Sequence, residues 1–261
     1  MTAPSVPEQV PAAQRIVVKV GSSSISGERA GQVVPLVAAL AAAHGRGTEV
    51  VLVSSGAIAT GLPHLRLDGR PRDLAVQQAA AAVGQNLLVK RYQEQLDRFG
   101  IVAGQVLLTA GDLEHPKPRG NAERALDTLL SLRILPIVNE NDTVATREIR
   151  FGDNDRLASL VAELVGADLL VLLSDVDALY TRPPKDPGAR PIAFVAAGDP
   201  LDGVEVGESD TGVGTGGAAT KLAAARYAAG SGIAVLLTAT EHVDRALAGE
   251  RVGTWFEPAP R

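Results

Sequence analysis

Six short, largely apolar runs recur along the chain, and they constrain its fold more than any other feature. They are RIVVKV at 15–20, TEVVLVS at 48–54, IVAGQVLLT at 101–109, Ile134–Val138, Asp168–Leu173 and Ile233–Thr238. Between them the spacing is helical: from about Gly31 to His44, from Asp73 to Phe99 with Leu88, Tyr92, Leu96 and Phe99 on one face, and over Asn121–Leu132, Asp155–Val165, Gly217–Ala229 and Val243–Gly249. A strand that is apolar on both faces must be covered on both, and crossover helices between parallel strands do this. The expected architecture is α/β, a three-layer αβα sandwich with a mostly parallel central sheet. Aromatic residues are only 3% of the chain, so the layers must pack on Ala, Val, Leu and Ile. The 261 residues suit one large domain over 15–256. Residues 1–14, with three prolines and no basic residue, are expected to be a flexible tail, and 257–261 a short C-terminal tail. Four prolines in 181–191 and six glycines in 203–217 interrupt the alternation, which predicts loops and small antiparallel strands able to serve as a lid.

Composition removes several function classes. The 25 basic and 30 acidic residues give a net charge of −5 with no basic block, which argues against a nucleic-acid partner. No apolar run approaches the roughly 20 residues of a membrane span, and the N-terminus lacks the charged-then-apolar order of a signal peptide. A cytoplasmic protein is expected. There is no cysteine, hence no disulfide, thiolate metal site or cysteine nucleophile. The four histidines are isolated, without metal-ligand spacing. GVGTGG at 212–217 matches the dinucleotide fingerprint literally but follows no opening strand, and no G-x-x-x-x-G-K-[ST] loop occurs.

In open parallel sheets ligands gather beyond the C-terminal strand ends. Those positions here read KVGSSS (19–24), SSGA (54–57), NEND (139–142) and SDVD (174–177), all small, polar or acidic. Each alone is an ordinary turn or helix cap; four together suggest a site. Lysine adds a second signal, since 20 of the 25 basic residues are Arg and only five are Lys. Lys19 ends an apolar strand beside a glycine. Lys221 closes TGGAATK (215–221), a glycine run entering a helix, where free N–H groups and the helix dipole suit an anion. That segment is read equally well as a flexible turn before an Ala-rich helix. A compact ammonium is suited to following a moving phosphate.

Taken in order, VVKVGSSS, VLVSSGAIATG, AAVGQ, GQVLLT, NENDTVAT, GDND, LLVLLSDVDALYT and GTGGAATK resemble the amino acid kinase family, and within it the members that phosphorylate glutamate. The resemblance spans residues 15–256; NENDxVAT followed closely by GDND is its specific part. It implies a kinase domain that transfers the γ-phosphoryl group of ATP, used with Mg²⁺, to the side-chain carboxylate of L-glutamate in proline synthesis. It implies that Lys19 and Lys221 neutralise phosphate charge while Asp155 holds both lysines. Ser174, Asp175 and the loop of Thr215, Gly216, Gly217, Ala218, Ala219, Thr220 and Lys221 would contact the nucleotide, and Ser55, Asp142 and Asn154 the glutamate. It also implies a homo-oligomer and handover of the labile acyl phosphate to glutamate 5-semialdehyde dehydrogenase. Relatives commonly carry Ser where this chain has Ala219, and HPKPRG (115–120) departs from their usual run. Many add a C-terminal PUA domain, which this sequence ends before reaching. A kinase for acetylglutamate or another small acid, and a non-catalytic sensor of amino acids or nucleotides, are the alternatives. Asp142 favours glutamate over its N-acetylated form, whose missing ammonium would leave that carboxylate unpaired.

Overall fold

Ile and Val on both faces bury the first strand, β1 (Arg15–Val20), along almost its whole length, so it lies inside the sheet rather than at an edge. The computed structural model describes residues 3–65, 73–144, 154–205 and 217–260. In it β1 is flanked in parallel by β2 (Glu49–Val53) and β5 (Leu169–Ser174). Three more strands extend the parallel sheet: β4 (Leu135–Glu140) beside β2, β3 (Ala103–Leu108) beside β4, and β9 (Ala234–Ala239) beside β5. Two minor pieces, β6 (Leu179–Tyr180) and β7 (Pro191–Ile192), form the antiparallel pair expected in the proline-rich stretch. Next to it β8 (Phe194–Val195) instead joins the main sheet, parallel to β10 (Thr254–Phe256), which runs antiparallel to β9. The eight-stranded order is β3-β4-β2-β1-β5-β9-β10-β8.

Alternate residues of the strands feed two cores. Ile16, Val18 and Val20 pack with helices α1 (Val33–Gly45) and α3 (Leu74–Leu96) and with α8 (Val243–Leu247). Val17 faces the other side, where α5 (Pro116–Ser131), α6 (Asn154–Leu164) and α7 (Ala218–Gly230) cover the sheet. This is the three-layer αβα sandwich with a mostly parallel sheet that the apolar runs predict. The side-chain period of two also decides the fate of Lys19: it points with Val17 toward α6 and α7.

Several local features differ from expectation. Residues 7–12, in the stretch read as a flexible tail, form a 3₁₀ turn with Val10 buried, and Glu8 pairs with Arg251. HPKPRG does not precede its helix; Pro116 opens α5, where its missing N–H is no loss. Phe99 leaves the helical face and is half exposed in a terminal 3₁₀ turn, while Leu88, Tyr92 and Leu96 are buried as expected. Two short helices were not anticipated: α2 (Ala57–Gly61) directly after β2, and α4 (Ala110–Glu114), started by a reciprocal Thr109–Asp112 capping box. The backbones of α2 and α3 touch. A Cβ on Gly84 would lie 1.8 Å from the Ala57 carbonyl oxygen, and one on Gly61 1.9 Å from that of Ala80.

Candidate active site

Parallel strands end on the same side, so their polar C-terminal residues converge. Val53 of β2 and Leu172 of β5 stand beside Lys19, and Val138 of β4 stands beside Val53. One residue further along β2 and β4, Ser54 and Asn139, and two further along β5, Ser174, therefore share one rim of the sheet. Helices α6 and α7 approach the same rim by their N-terminal turns.

Lys19, Asp155 and Lys221 meet there. Asp155, from the first turn of α6, is fully buried and ion-paired to Lys19 through Oδ1; its Oδ2 accepts from Lys221 Nζ at 3.1 Å. Both lysines are themselves buried. The hydroxyl of Thr220 lies 3.2 Å from Asp155 Oδ2 and 2.8 Å from the Gly217 carbonyl oxygen, so its one proton serves a single acceptor at a time. An acid in the first turn of α6 is also favoured by the helix dipole. Gly21 lies beside the ammonium: a Cβ there would stand 3.8 Å from Lys19 Nζ, an ordinary contact. Gly56, with φ 103°, brings the loop after β2 against Ser22 of the loop after β1.

A neutral cluster adjoins this ionic one. Asn154 Nδ2 lies 2.7 Å from Ser55 Oγ, 2.9 Å from the Ser54 carbonyl and 3.0 Å from Asn139 Oδ1. Asn139 in turn donates through Nδ2 to Gln85 Oε1 at 2.5 Å. Tyr92 OH and Ser54 Oγ are 2.9 Å apart, and burial drives the phenol pKa well up. Asp142, in the turn after β4, is half-buried and makes no hydrogen bond to Ser55 or Asn154. Burial pushes its carboxyl up to about 6.

Of the residues singled out in the sequence, Lys19, Asp155, Thr220 and Lys221 form one cluster, and Ser55 and Asn154 form the other. Ser174 lies on the same rim but is tied locally: its hydroxyl donates to Asp175 Oδ1 at 3.2 Å and its carbonyl accepts from Thr240 Oγ1 at 3.1 Å. Asp175, Ala218 and Ala219 are exposed, and Gly217 is half-buried at the start of α7. Thr215 and Gly216 lie outside the described residues. Sequence reasoning gave no site role to Gln85, reached Asn139 only as the first residue of NEND, and read Tyr92 only as part of a helical face. A long polar side chain amid the alanines and glycine of AAAAVGQ was the available signal for Gln85.

A model of the amino acid kinase family matches residues 14–239. Among curated relatives, a glutamate 5-kinase of Clavibacter michiganensis subsp. michiganensis is 73% identical over 95% of this chain and 96% of its own length. One from Leifsonia xyli subsp. xyli is 71% identical over 96% and 93%. A longer one from Salinispora arenicola is 56% identical, with 70% of its length covered. Among solved structures, carbamate kinase from Giardia lamblia bound to AMP-PNP superposes with a TM-score of 0.69 at 17% identity, covering 95% of this chain and all of that one. Uridylate kinase from Archaeoglobus fulgidus gives 0.59 at 18%, covering 92% and 99%. Those two likenesses establish the fold. With its family match over most of its length and relatives above 70% identity, the chain belongs to the amino acid kinase family and groups with its glutamate 5-kinases.

Proposed function

We propose that the chain transfers the γ-phosphoryl group of ATP to the side-chain carboxylate of L-glutamate, giving L-glutamyl 5-phosphate and ADP. The observation that carries this reading is the convergence of two buried lysines on Asp155, next to the Ser55–Asn154 pair. A glutamate carboxylate is already ionised at neutral pH, with an ordinary pKa of about 4.3, so no general base is required. One carboxylate oxygen bonds to the γ-phosphorus as the bond to the β,γ-bridging oxygen breaks, and no proton need move. The obstacle is the approach of one anion to another. Fixed positive charge offsets it, and charge held in place before the reaction needs no rearrangement at the transition state. Lys19 and Lys221 supply that charge and Asp155 orients them. Gly217–Lys221 at the start of α7, with Ser174 and Asp175, would lie along the nucleotide. Ser55, Asn154 and Asp142 would hold the glutamate, with the Asp142 carboxylate matched to its ammonium.

Among the described residues no group of three or more His, Cys, Asp or Glu side chains could hold a metal. Magnesium would arrive with the nucleotide, as that ion is commonly bound through substrate phosphates and water. On this reading residues 15–256 act as one kinase domain in a cytoplasmic homo-oligomer, and the hydrolysis-prone product passes to glutamate 5-semialdehyde dehydrogenase. No helix among the described residues is long and apolar enough to cross a membrane.

The test is ATP-dependent hydroxamate formation over a panel of L-glutamate, N-acetylglutamate, aspartate and glutarate, with and without Mg²⁺. Glutamate should be preferred and Mg²⁺ required. Preference for the acetylated acid would make this a different small-acid kinase of the same fold. Glutamate binding by calorimetry with no turnover would make it a sensor.

A further inference from the structure

We propose that Gln85 is a positioning residue for the amino-acid end of the site: it sets the polarity of the Asn139 and Asn154 carboxamides, so that Asn154 offers a carbonyl oxygen rather than an NH₂ group to the ammonium of the substrate. This rests on the glutamate reading above.

A carboxamide has a donor end and an acceptor end of nearly the same shape, so only its partners decide which way it lies. Two backbone groups favour one orientation of the asparagines, and Gln85 completes it. The Glu140 N–H donates to Asn139 Oδ1 at 2.9 Å, and the Ser54 carbonyl accepts from Asn154 Nδ2 at 2.9 Å. Asn139 Oδ1 also accepts from Asn154, which leaves Asn139 Nδ2 needing an acceptor on its far side. Gln85 Oε1 is that acceptor, at 2.5 Å. The three amides thus form one directional chain. Its two ends are both buried and both unpartnered: Asn154 Oδ1, an acceptor, and Gln85 Nε2, a donor. Buried amide atoms are normally satisfied, and an open acceptor beside Ser55 is what an ammonium group would fill.

Gln85 is suited to anchor such a chain because it is buried and its neighbour's backbone is closely packed. It is 7% exposed, and the preceding Gly84 presses its backbone onto Ala57 and Gly61 of α2, the helix that continues from Ser54 and Ser55. Without the Gln85 oxygen, Asn139 Nδ2 loses its acceptor. Either asparagine could then turn over, and an Asn154 turned over would meet the ammonium with a donor.

The experiment is steady-state kinetics of the full chain with L-glutamate and with glutarate, which has the same two carboxylates but no ammonium. Gln85→Met, close in size but unable to hydrogen-bond, should raise KM for glutamate about tenfold and lower the preference for glutamate over glutarate by a similar factor, the scale of one buried hydrogen bond. KM for ATP and kcat should stay within about twofold. Gln85→Glu keeps an oxygen facing Asn139 and should keep the preference, even where its added charge raises KM for both acids; it also serves if the Met variant does not fold. In an Asn154→Ala background the Gln85→Met effect should vanish, because the two act through one chain. An unchanged preference in Gln85→Met, an equal loss in Gln85→Glu, or full additivity with Asn154→Ala would overturn the inference. A wild-type chain inactive on glutamate would instead overturn the proposed function.

Discussion

At one end of the site a single carboxylate is held between two ammonium groups; at the other, three carboxamides and two serines do their work with no formal charge. Lys19, Asp155 and Lys221 arise from β1, α6 and α7, elements rooted in the core that faces those helices. Gln85, Asn139 and Asn154 arise from α3, β4 and α6 and are joined by hydrogen bonds alone. The difference follows from what each end would receive. A triphosphate tail carries several negative charges, and only formal positive charge balances it. The backbone end of an amino acid is a zwitterion, which on the proposed reading oriented dipoles and one carboxylate, Asp142, would match. Burying further charge there would raise the desolvation cost without improving the match.

The contrast can be broken first at its ionic end. Lys221→Ala should lower kcat by about 10² or more while leaving KM for glutamate near its original value, measured in the hydroxamate assay. Arginine should not rescue it, because a planar guanidinium does not fit the space of a compact ammonium on Asp155. Asp155→Asn would leave two buried ammonium groups without their shared carboxylate. It should cost about 3–5 kcal/mol, read by denaturant unfolding, in addition to the loss of activity. Substitutions at the neutral end should be milder and differently distributed. Asn154→Ala should raise KM for glutamate about tenfold, with KM for ATP little changed.

The smallest and most graded effect concerns pH. Burial raises the Asp142 carboxyl to about 6, so between roughly pH 4 and 6 the folded chain holds a proton that the unfolded chain has released. Its contribution to stability is therefore present at the acid end of that window and falls as pH rises through 6. Binding runs the other way, because an ammonium requires the carboxylate. KM for glutamate should climb by up to about tenfold per unit as pH drops below 6, with KM for ATP flat over the same range. Asp142→Asn should abolish the dependence. A pH profile that survives this substitution would detach Asp142 from the ammonium.

The sandwich was legible because strands covered on both faces cannot hide their composition: LLVLL in β5 and AVLL in β9 are apolar throughout. Lys19 was legible for the opposite reason, as a charge ending such a strand in a chain that otherwise prefers arginine. Short helices were less readable. Five residues of α2 are too few to show a period, and what locks them is contact between the Gly61 and Gly84 backbones, remote in sequence. Gln85 escaped notice because nothing in a single amide betrays that its partner lies on a strand more than fifty residues away. The N-terminal prolines suggested a loose tail, yet Val10 found a buried place by α8, an outcome of packing that proline content does not report.

By itself the order of residues determined the layered architecture, the rim of the sheet on which the polar strand ends gather and the family to which the chain belongs. These follow from local periodicity, from the direction of parallel strands and from motifs whose members are close neighbours. The resemblance already implied that Asp155 holds both lysines; only the tertiary structure decided that each takes a separate oxygen and that the Gln85, Asn139 and Asn154 amides line up in one direction. Such contacts join segments far apart in the chain at separations of about 3 Å, and no rule of spacing reaches across the folds that bring them together.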